Sequence, residues 1–209
     1  MIIEQIRLDR MVVFCYLVVD PNTKDAVLID PAFDTGRISE RVQAGGYRVT
    51  HVVNTHGHAD HTAGNADIVR ATGAALCIHH MDAQRLKGLL SASISRVFGG
   101  KGSPKPDRLL SDGDMVPVGR EALTVLHTPG HTPGGICLYS EGHVFTGDTL
   151  FVGGVGRTDL PGGSPKKLSA SIRNRIYTLP DDTRVWPGHD YGSEPFSTVG
   201  REKETNFFA

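Results

Sequence analysis

Apolar positions in the first third of the chain fall into short runs separated by turn formers. MIIEQIRL, MVVFCYLVVD and DAVLID read as three strands, and Pro21 and Asn22 make the turn PNTK between the second and third. The second run is apolar almost throughout, the pattern of a strand covered on both faces. Asp34 stands where an N-cap is expected ahead of a helix over RISERVQAG, in which Ile38 and Val42 share one side and Gly45–Gly46 end the helix. YRVTHVVNT then reads as a strand, HTAGNADIVRATG as a helix and AALCIHH as a short strand. A β-turn-β start feeding βαβ units puts sheet in the interior and packs helices outside it.

The middle is less regular. MDAQRLKGLLSASI has helical character, whereas RVFGGKGSPKPDRLL carries three glycines and two prolines without a steady period, so residues 97–107 read as a loop. GREALTVLHT, GGICLYS and GHVFTGD add strands. SPKKLSASIRNRIYTLP spaces Leu168, Ile172 and Ile176 by four and predicts a helix with one apolar stripe, and DTRVWPG a late strand. No low-complexity linker or fixed repeat divides the chain, so residues 1–209 read as one domain, with two half-domains joined face to face as a compatible arrangement.

Composition narrows the function classes. A formal net charge of -1 gives no reason to expect a nucleic acid or an anionic membrane as partner. Cys15, Cys77 and Cys137 each sit inside an apolar run, which predicts buried thiols rather than a disulfide framework and fits a reducing compartment. With no leader pattern and no apolar stretch near 18 residues, the expected location is the cytoplasm.

The ten histidines change the picture more. THGHADH, residues 55–61, brings His56, His58, Asp60 and His61 together just after an apolar strand. Gly57 and Ala59 predict a tight loop before the next helix, and the carboxyl end of a strand is where open sheets place their sites. His131 in TPGHTPGG, Asp148 in VFTGDTL and His189 in VWPGHDYG each follow a glycine directly. This supply of imidazoles and carboxylates is enough for two metal ions: three imidazoles and a water suit a catalytic zinc, and a carboxylate can bridge to a second ion.

THGHADHTAGN, HTPGHTPGG, FTGDTLF and PGHDYG resemble the metallo-β-lactamase superfamily and, within it, the glyoxalase II-like hydrolases and their relatives. The resemblance runs from the first strands to about residue 206. It implies an α+β fold, a four-layer αββα sandwich with the metal site at one edge between the two sheets. It further implies that His56, His58 and His131 hold one divalent ion, that Asp60, His61 and His189 hold a second, and that Asp148 bridges them. Zinc is the expected metal, with iron and manganese as the other candidates. The nucleophile would be a bridging hydroxide that Asp60 helps to orient, one ion would polarise the substrate carbonyl, and no Ser or Cys nucleophile is required.

Other residues have weaker claims. Arg157 and Asp159, in GGVGRTDLPGG, suggest an internal ion pair pinning a glycine-rich loop; the functional alternative makes Arg157 an organiser of the site or an anion contact. His51 and His143 read as structural, His79 or His80 as a hydrogen-bond donor beside the site, and Tyr191 as either a pocket wall or a packed aromatic. His127 is separated from His131 by a Pro-Gly turn. After His189 only twenty residues remain, room for a turn and one short helix. The separate C-terminal helical domain that carries glutathione contacts in longer glyoxalase II enzymes is thus not expected. The pocket would be built from residues 91–107 and 153–163, with help from a second subunit in a homo-oligomer. Arg96, Lys101 and Lys105 are candidate carboxylate contacts in the first loop.

The favoured function is hydrolysis of a thioester, S-lactoylglutathione or a related acyl-thiol. The runner-up is a persulfide dioxygenase with a single Fe(II) on His56, His131 and Asp148. A non-catalytic metal-binding scaffold would be signalled by a missing ligand, and none is missing. β-Lactam hydrolysis ranks lower, because the GRTD stretch and Asp148 resemble the thioester side of the superfamily.

Overall fold

A computed structural model describes residues 1–87 and 102–209. Strands β1 (Ile2–Leu8), β2 (Val13–Val19), β3 (Asp25–Ile29), β4 (Arg48–Asn54), β5 (Ala75–His79) and β6 (Arg108–Leu110) form one sheet in that order. The first two pairings are antiparallel and the remaining three parallel. The second sheet runs β14-β13-β10-β9-β8-β7 from β7 (Met115–Val118), β8 (Glu121–His127), β9 (Ile136–Ser140), β10 (His143–Gly147), β13 (Arg184–Pro187) and β14 (Ser197–Thr198). In it only β10 and β13 pair in parallel. A separate hairpin joins β11 (Leu150–Phe151) to β12 (Gly154–Val155).

Strand alternation sorts the apolar residues into three cores. On β2, Cys15 and Leu17 face helices α1 (Thr35–Gly45) and α3 (Asn65–Thr72), packing with Ile38 and Ile68. Phe14, Tyr16 and Val18 face the other way, meeting Val125, Leu138 and Phe145 between the sheets. Cys137, Val144 and Val185, on the far face of the second sheet, pack against Leu168, Ile172 and Ile176 of the helical segment that begins as α4 (Pro165–Ser171). The layers are therefore helix, sheet, sheet and helix, the αββα sandwich. A strand buried on both faces, such as β2, needs this arrangement.

Local details depart from the sequence reading. Asp34 does not cap α1 through its side chain: it adopts φ 50 and makes no capping hydrogen bond, whereas Gly46 ends the helix at φ 62 as expected. The helix expected over residues 61–73 is two, a turn α2 (Ala59–Thr62) and α3, broken where Gly64 N–H donates to Pro31 O at 3.0 Å. A Cβ at Gly64 would strike that carbonyl, so close backbone contact with the segment after β3 sets the break. The apolar stripe Leu168–Ile172–Ile176 is buried, but the helix widens into a π-turn over Ile172–Ile176. Strand β7 and the β11–β12 hairpin were missed, since MVPV and LFVGGV are too short for a period to show. Of the helix expected at MDAQRLKGLLSASI, the described part is a turn and a single 3₁₀ turn, Arg85–Lys87; the rest, with Arg96 and Lys101, lies outside the described residues. Among the described residues no helix is long and apolar enough to cross a membrane. Val199–Thr205 forms the last helix, α5.

Phe145 is fully buried between the sheets, edge-on to Tyr16 at 5.1 Å and stacked on Trp186 at 6.4 Å. Phe145→Ala should cost about 3–5 kcal/mol of stability, through lost transfer energy and a residual cavity. Denaturant unfolding of the two proteins checks this; a loss below about 1 kcal/mol would mean that the inter-sheet core repacks freely.

Candidate metal centre

Four chain segments leave their strands at one edge of the sandwich and converge there. His56 and His58 lie in the turn after β4, while Asp60 and His61 occupy the single turn of α2 rather than the loop itself. His131 follows β8, Asp148 directly follows β10, and His189 lies two residues past β13. His189 is held against the start of β2 by a bridge to Val13, with Phe14 N–H donating to Gly188 O at 2.9 Å and Asp190 N–H to Val12 O at 2.9 Å.

Among the described residues three groups of side chains are close enough to hold an ion: His56 with His58 and His131, Asp60 with His61 and His189, and Asp30 with His56 and His61, the first two built only from the residues singled out in the sequence. In the first, His56 Nε2 is 3.1 Å and His131 Nε2 2.9 Å from His58 Nδ1. In the second, His61 Nε2 is 3.1 Å from His189 Nε2, and Asp60 Oδ2 lies 3.6 Å from His189 Nε2 and 3.9 Å from His61 Nε2. Asp148 stands between them, its carboxylate 3.3 Å from His61, 3.4 Å from His189 and 3.5 Å from His131. Gly188 permits this approach, because a Cβ there would collide with Asp148 Oδ1.

The hydrogen bonds of the outer ring nitrogens turn most of the lone pairs inward. His131 Nδ1 donates to Arg157 O at 2.7 Å and His189 Nδ1 to Met11 O at 2.9 Å. Asp30 accepts from His61 Nδ1 at 2.9 Å, from Thr55 N–H at 2.8 Å and from the Thr55 hydroxyl at 2.6 Å. With its proton committed to Asp30, Thr55 Oγ1 is the acceptor for His56 Nδ1 at 3.1 Å. Tautomers assigned from these partners leave Nε2 of His56, His61, His131 and His189 as lone pairs facing the centre. Lone pairs about 3 Å apart repel unless a cation or a proton lies between them. Asp148 Oδ1 is also buried without a hydrogen-bond partner. These donors fit divalent metal ions.

The protonation pattern agrees. Burial, reinforced by the neighbouring histidines, holds His56 well below the usual imidazole range, and the same causes take His58 down to about 4. Both rings are thus neutral and ready to ligate at pH 7. For His61 burial opposes the charge, but Asp148 and Asp30 outweigh it and push the pKa up. Burial opposes ionisation of Asp148, but the adjoining His61 and His189 rings outweigh it and hold the carboxyl well below the carboxylate range. Protons and metal ions compete for these ring nitrogens, so affinity weakens as pH falls. Asp30, at φ 50, and Met11, at φ 57, hold strained backbone while supporting His61 and His189. The sequence reading missed both: an acid ending a strand and a carbonyl at a turn carry no motif.

The centre opens into a cavity of about 700 Å³ walled by Phe151, Val155, Leu160, Tyr191 and Phe208, with Met11 at one side. Within residues 153–163, Gly154, Val155, Arg157 and Leu160 contribute; Phe208 is a wall that the sequence did not suggest. Two bonds tie α5 and the residue after it to the hairpin: Glu202 Oε2 accepts Gly153 N–H at 2.9 Å, and Asn206 Nδ2 donates to Gly154 O at 3.0 Å. Tyr191 lines the cavity, stacked on the His189 ring at 4.5 Å and 7°. The Arg157–Asp159 pair forms at 2.6 Å, but with side chains 61% and 65% exposed it is not internal; the backbone carbonyl of Arg157, not its guanidinium, touches a candidate ligand. His80 Nδ1 faces Leu110 O at 3.3 Å and its ring lies against His79, which stacks on His127 at 4.2 Å. These contacts lead away from the seven side chains, and Asp30 supplies the support sought from His80. Lys105 is exposed.

Residues 8–189 match the metallo-β-lactamase superfamily, and the chain belongs to that superfamily of metal-dependent enzymes. It is 40% identical over 182 residues to a hydroxyacylglutathione hydrolase of Polaromonas sp., covering 85% of this chain and 62% of that protein. It is also 38% identical over 196 residues to the human mitochondrial persulfide dioxygenase ETHE1, covering 92% of this chain and 70% of the relative. The chain thus spans less than two thirds of that hydrolase. Among solved structures, TTHA1623 in a di-iron-bound form is 36% identical, with a TM-score of 0.83 over 99% of this chain and 100% of the other.

Asp30→Asn replaces an acceptor with an amide that cannot serve all three donors. Metal affinity should fall roughly 10–100-fold, the usual cost of removing a group that orients a ligand. Chelator competition measures it, and wild-type affinity would remove Asp30 from this role.

Proposed function

We propose that the chain is a two-metal thioester hydrolase acting on an S-acylglutathione or a related acyl-thiol. The observation that carries this reading is the complete second set, Asp60, His61 and His189, packed against the same Asp148 that faces the three-histidine set. His56, His58 and His131 would hold one divalent ion and Asp60, His61 and His189 the other, with Asp148 shared. Zinc suits an imidazole-rich set of this kind, and iron, present in the di-iron relative, and manganese are the other candidates. Two ions held there would supply the Lewis acidity that brings the pKa of a bound water toward neutrality and polarises the thioester carbonyl.

The remaining tasks fall to the chain's own groups. Asp60 borders the cavity with its carboxylate partly exposed, placed to orient the attacking water and take its proton. The Phe151, Val155, Leu160 and Phe208 walls give the acyl group an apolar surface, while Tyr191 and Arg157 offer polar contacts to the thiol half. The three cysteines do not compete as nucleophiles. Cys15, Cys77 and Cys137 are buried, and burial pushes Cys77 and Cys137 up to about 11 and raises Cys15. Three free buried thiols fit a reducing compartment, and we place the protein in the cytoplasm. The second reading, a persulfide dioxygenase with one Fe(II) on His56, His131 and Asp148, draws on the human relative.

Protein from cells supplied with zinc and iron should carry close to two metal ions per chain by elemental analysis. A constant single iron would favour the dioxygenase. Asp148→Ala should lose at least one ion and reduce activity by two orders of magnitude or more while its far-ultraviolet circular dichroism stays native; full activity would end the shared-ligand assignment.

Free thiol should appear from S-lactoylglutathione or a simpler acyl-thiol under nitrogen, with no oxygen consumed. Oxygen uptake with glutathione persulfide, together with no thioester cleavage, would replace hydrolysis with the second reading.

A further inference from the structure

Beyond the seven converging side chains, one fully buried carboxylate reaches the backbone of two ligand-bearing loops at once. Asp82 lies in the turn after β5 and has no solvent exposure. Its Oδ2 accepts the Gly57 N–H at 2.8 Å, and its Oδ1 the Gly134 N–H at 2.8 Å. Gly57 sits between His56 and His58, and Gly134 lies three residues after His131. The loops approach closely enough for this only because both residues are glycines. A Cβ on Gly134 would stand 2.8 Å from Asp82 Oδ1, and one on Gly57 would stand 2.7 Å from Arg85 Cβ.

Arg85 extends the tie to a third segment. Its Nε lies 3.5 Å from Asp82 Oδ1 and its Nη2 donates to Pro161 O at 2.7 Å, in the loop whose Arg157 carbonyl orients His131. Two backbone N–H groups from separate loops need two acceptor oxygens on one rigid plane. A carboxylate provides them, whereas an amide would turn its NH₂ against one donor. Ile136 N–H to Thr55 O, at 2.9 Å, is a further link between the same segments, but it acts beyond the ligand loops at the strand ends.

We propose that Asp82 is the positioning residue of the three-histidine set. It fixes the distance between the turn carrying His56 and His58 and the turn carrying His131, and so governs the affinity and geometry of one ion. In the Asp60–His61–His189 set the outer ring nitrogens bond directly to Asp30 and the Met11 carbonyl, while Asp30 reaches His56 only through the Thr55 hydroxyl. The inference rests on the ligand assignment under Proposed function and is independent of whether the reaction is hydrolysis or oxygenation.

The test compares the full-length wild type with Asp82→Asn, His131→Ala and His189→Ala, using zinc competition against a chelator and the visible absorption of the cobalt(II)-loaded proteins. Asp82→Asn should weaken one of two ions by about 10–100-fold, leave the other unchanged, and alter the same cobalt bands that His131→Ala removes. Wild-type affinities and bands in Asp82→Asn would overturn the proposal, as would equal weakening of both ions or a change confined to the bands lost in His189→Ala. Should Asp82→Asn fail to fold, Arg85→Gln decides: a smaller loss at the same ion supports the positioning role, and two unchanged affinities overturn it. A wild-type chain that binds no divalent metal would remove the ligand assignment itself, a result distinguishable from any of these.

Discussion

The centre depends on one buried carboxylate and the protons it accepts. Asp30 takes hydrogen bonds from the Thr55 backbone, the Thr55 hydroxyl and His61, and the hydroxyl in turn takes one from His56. Fixing the outward protons of His56 and His61 in this way determines where their inner lone pairs point. The price is a strained left-handed backbone at Asp30 and lone pairs crowded near 3 Å, tolerable because the surrounding strands are buried and over-determined. The inner geometry of the site is thus imposed from outside it.

That outer framework is spread over both sheets. Three parallel pairings in the first sheet send β4 toward the working edge, and the single parallel pairing in the second brings Asp148 and His189 out of adjacent strands at one end. The register shift between Phe145 and Gly147 lies just before Asp148. Such irregularities re-aim a chain as it leaves a strand. The three cores then hold the two sheets and the outer helices in one arrangement, so the separation of the ligand segments follows from packing.

Much of this was legible in the sequence where a periodic pattern or a dense polar motif existed. The doubly buried β2, the stripe on Leu168, Ile172 and Ile176, and the αββα layering followed from apolar spacing and from the resemblance that the histidine motifs carry. Four of the seven polar residues were picked out by their density in THGHADH after an apolar strand, and His131, Asp148 and His189 because each directly follows a glycine beside a strand or turn. What escaped was made of single contacts. Asp34 looks like a cap but sits in a left-handed conformation without a capping bond, and the helix through residues 61–73 breaks because a carbonyl from a distant turn approaches Gly64. Asp30, Asp82 and the Met11 carbonyl act through bonds that span 25 to 178 positions, beyond the reach of any local pattern. The expected internal Arg157–Asp159 pair failed for the opposite reason: the pairing is local, but burial depends on how the loop folds over the cavity.

The spacing of the converging segments along the chain has a kinetic consequence. His61 meets His189 across 128 positions, and His131 meets His58 across 73. Contacts of such range form late, because long loops must close before any stabilisation is gained. Neither ligand set is therefore complete in an unfolded or half-assembled chain, where only the short cluster His56–His61 is local. Once both sheets have docked, a bound ion becomes a clasp across them, and its binding free energy adds directly to the stability of the finished sandwich. Apparent thermal stability should then follow metal supply, and chelation would expose first the seam between the sheets rather than either sheet alone.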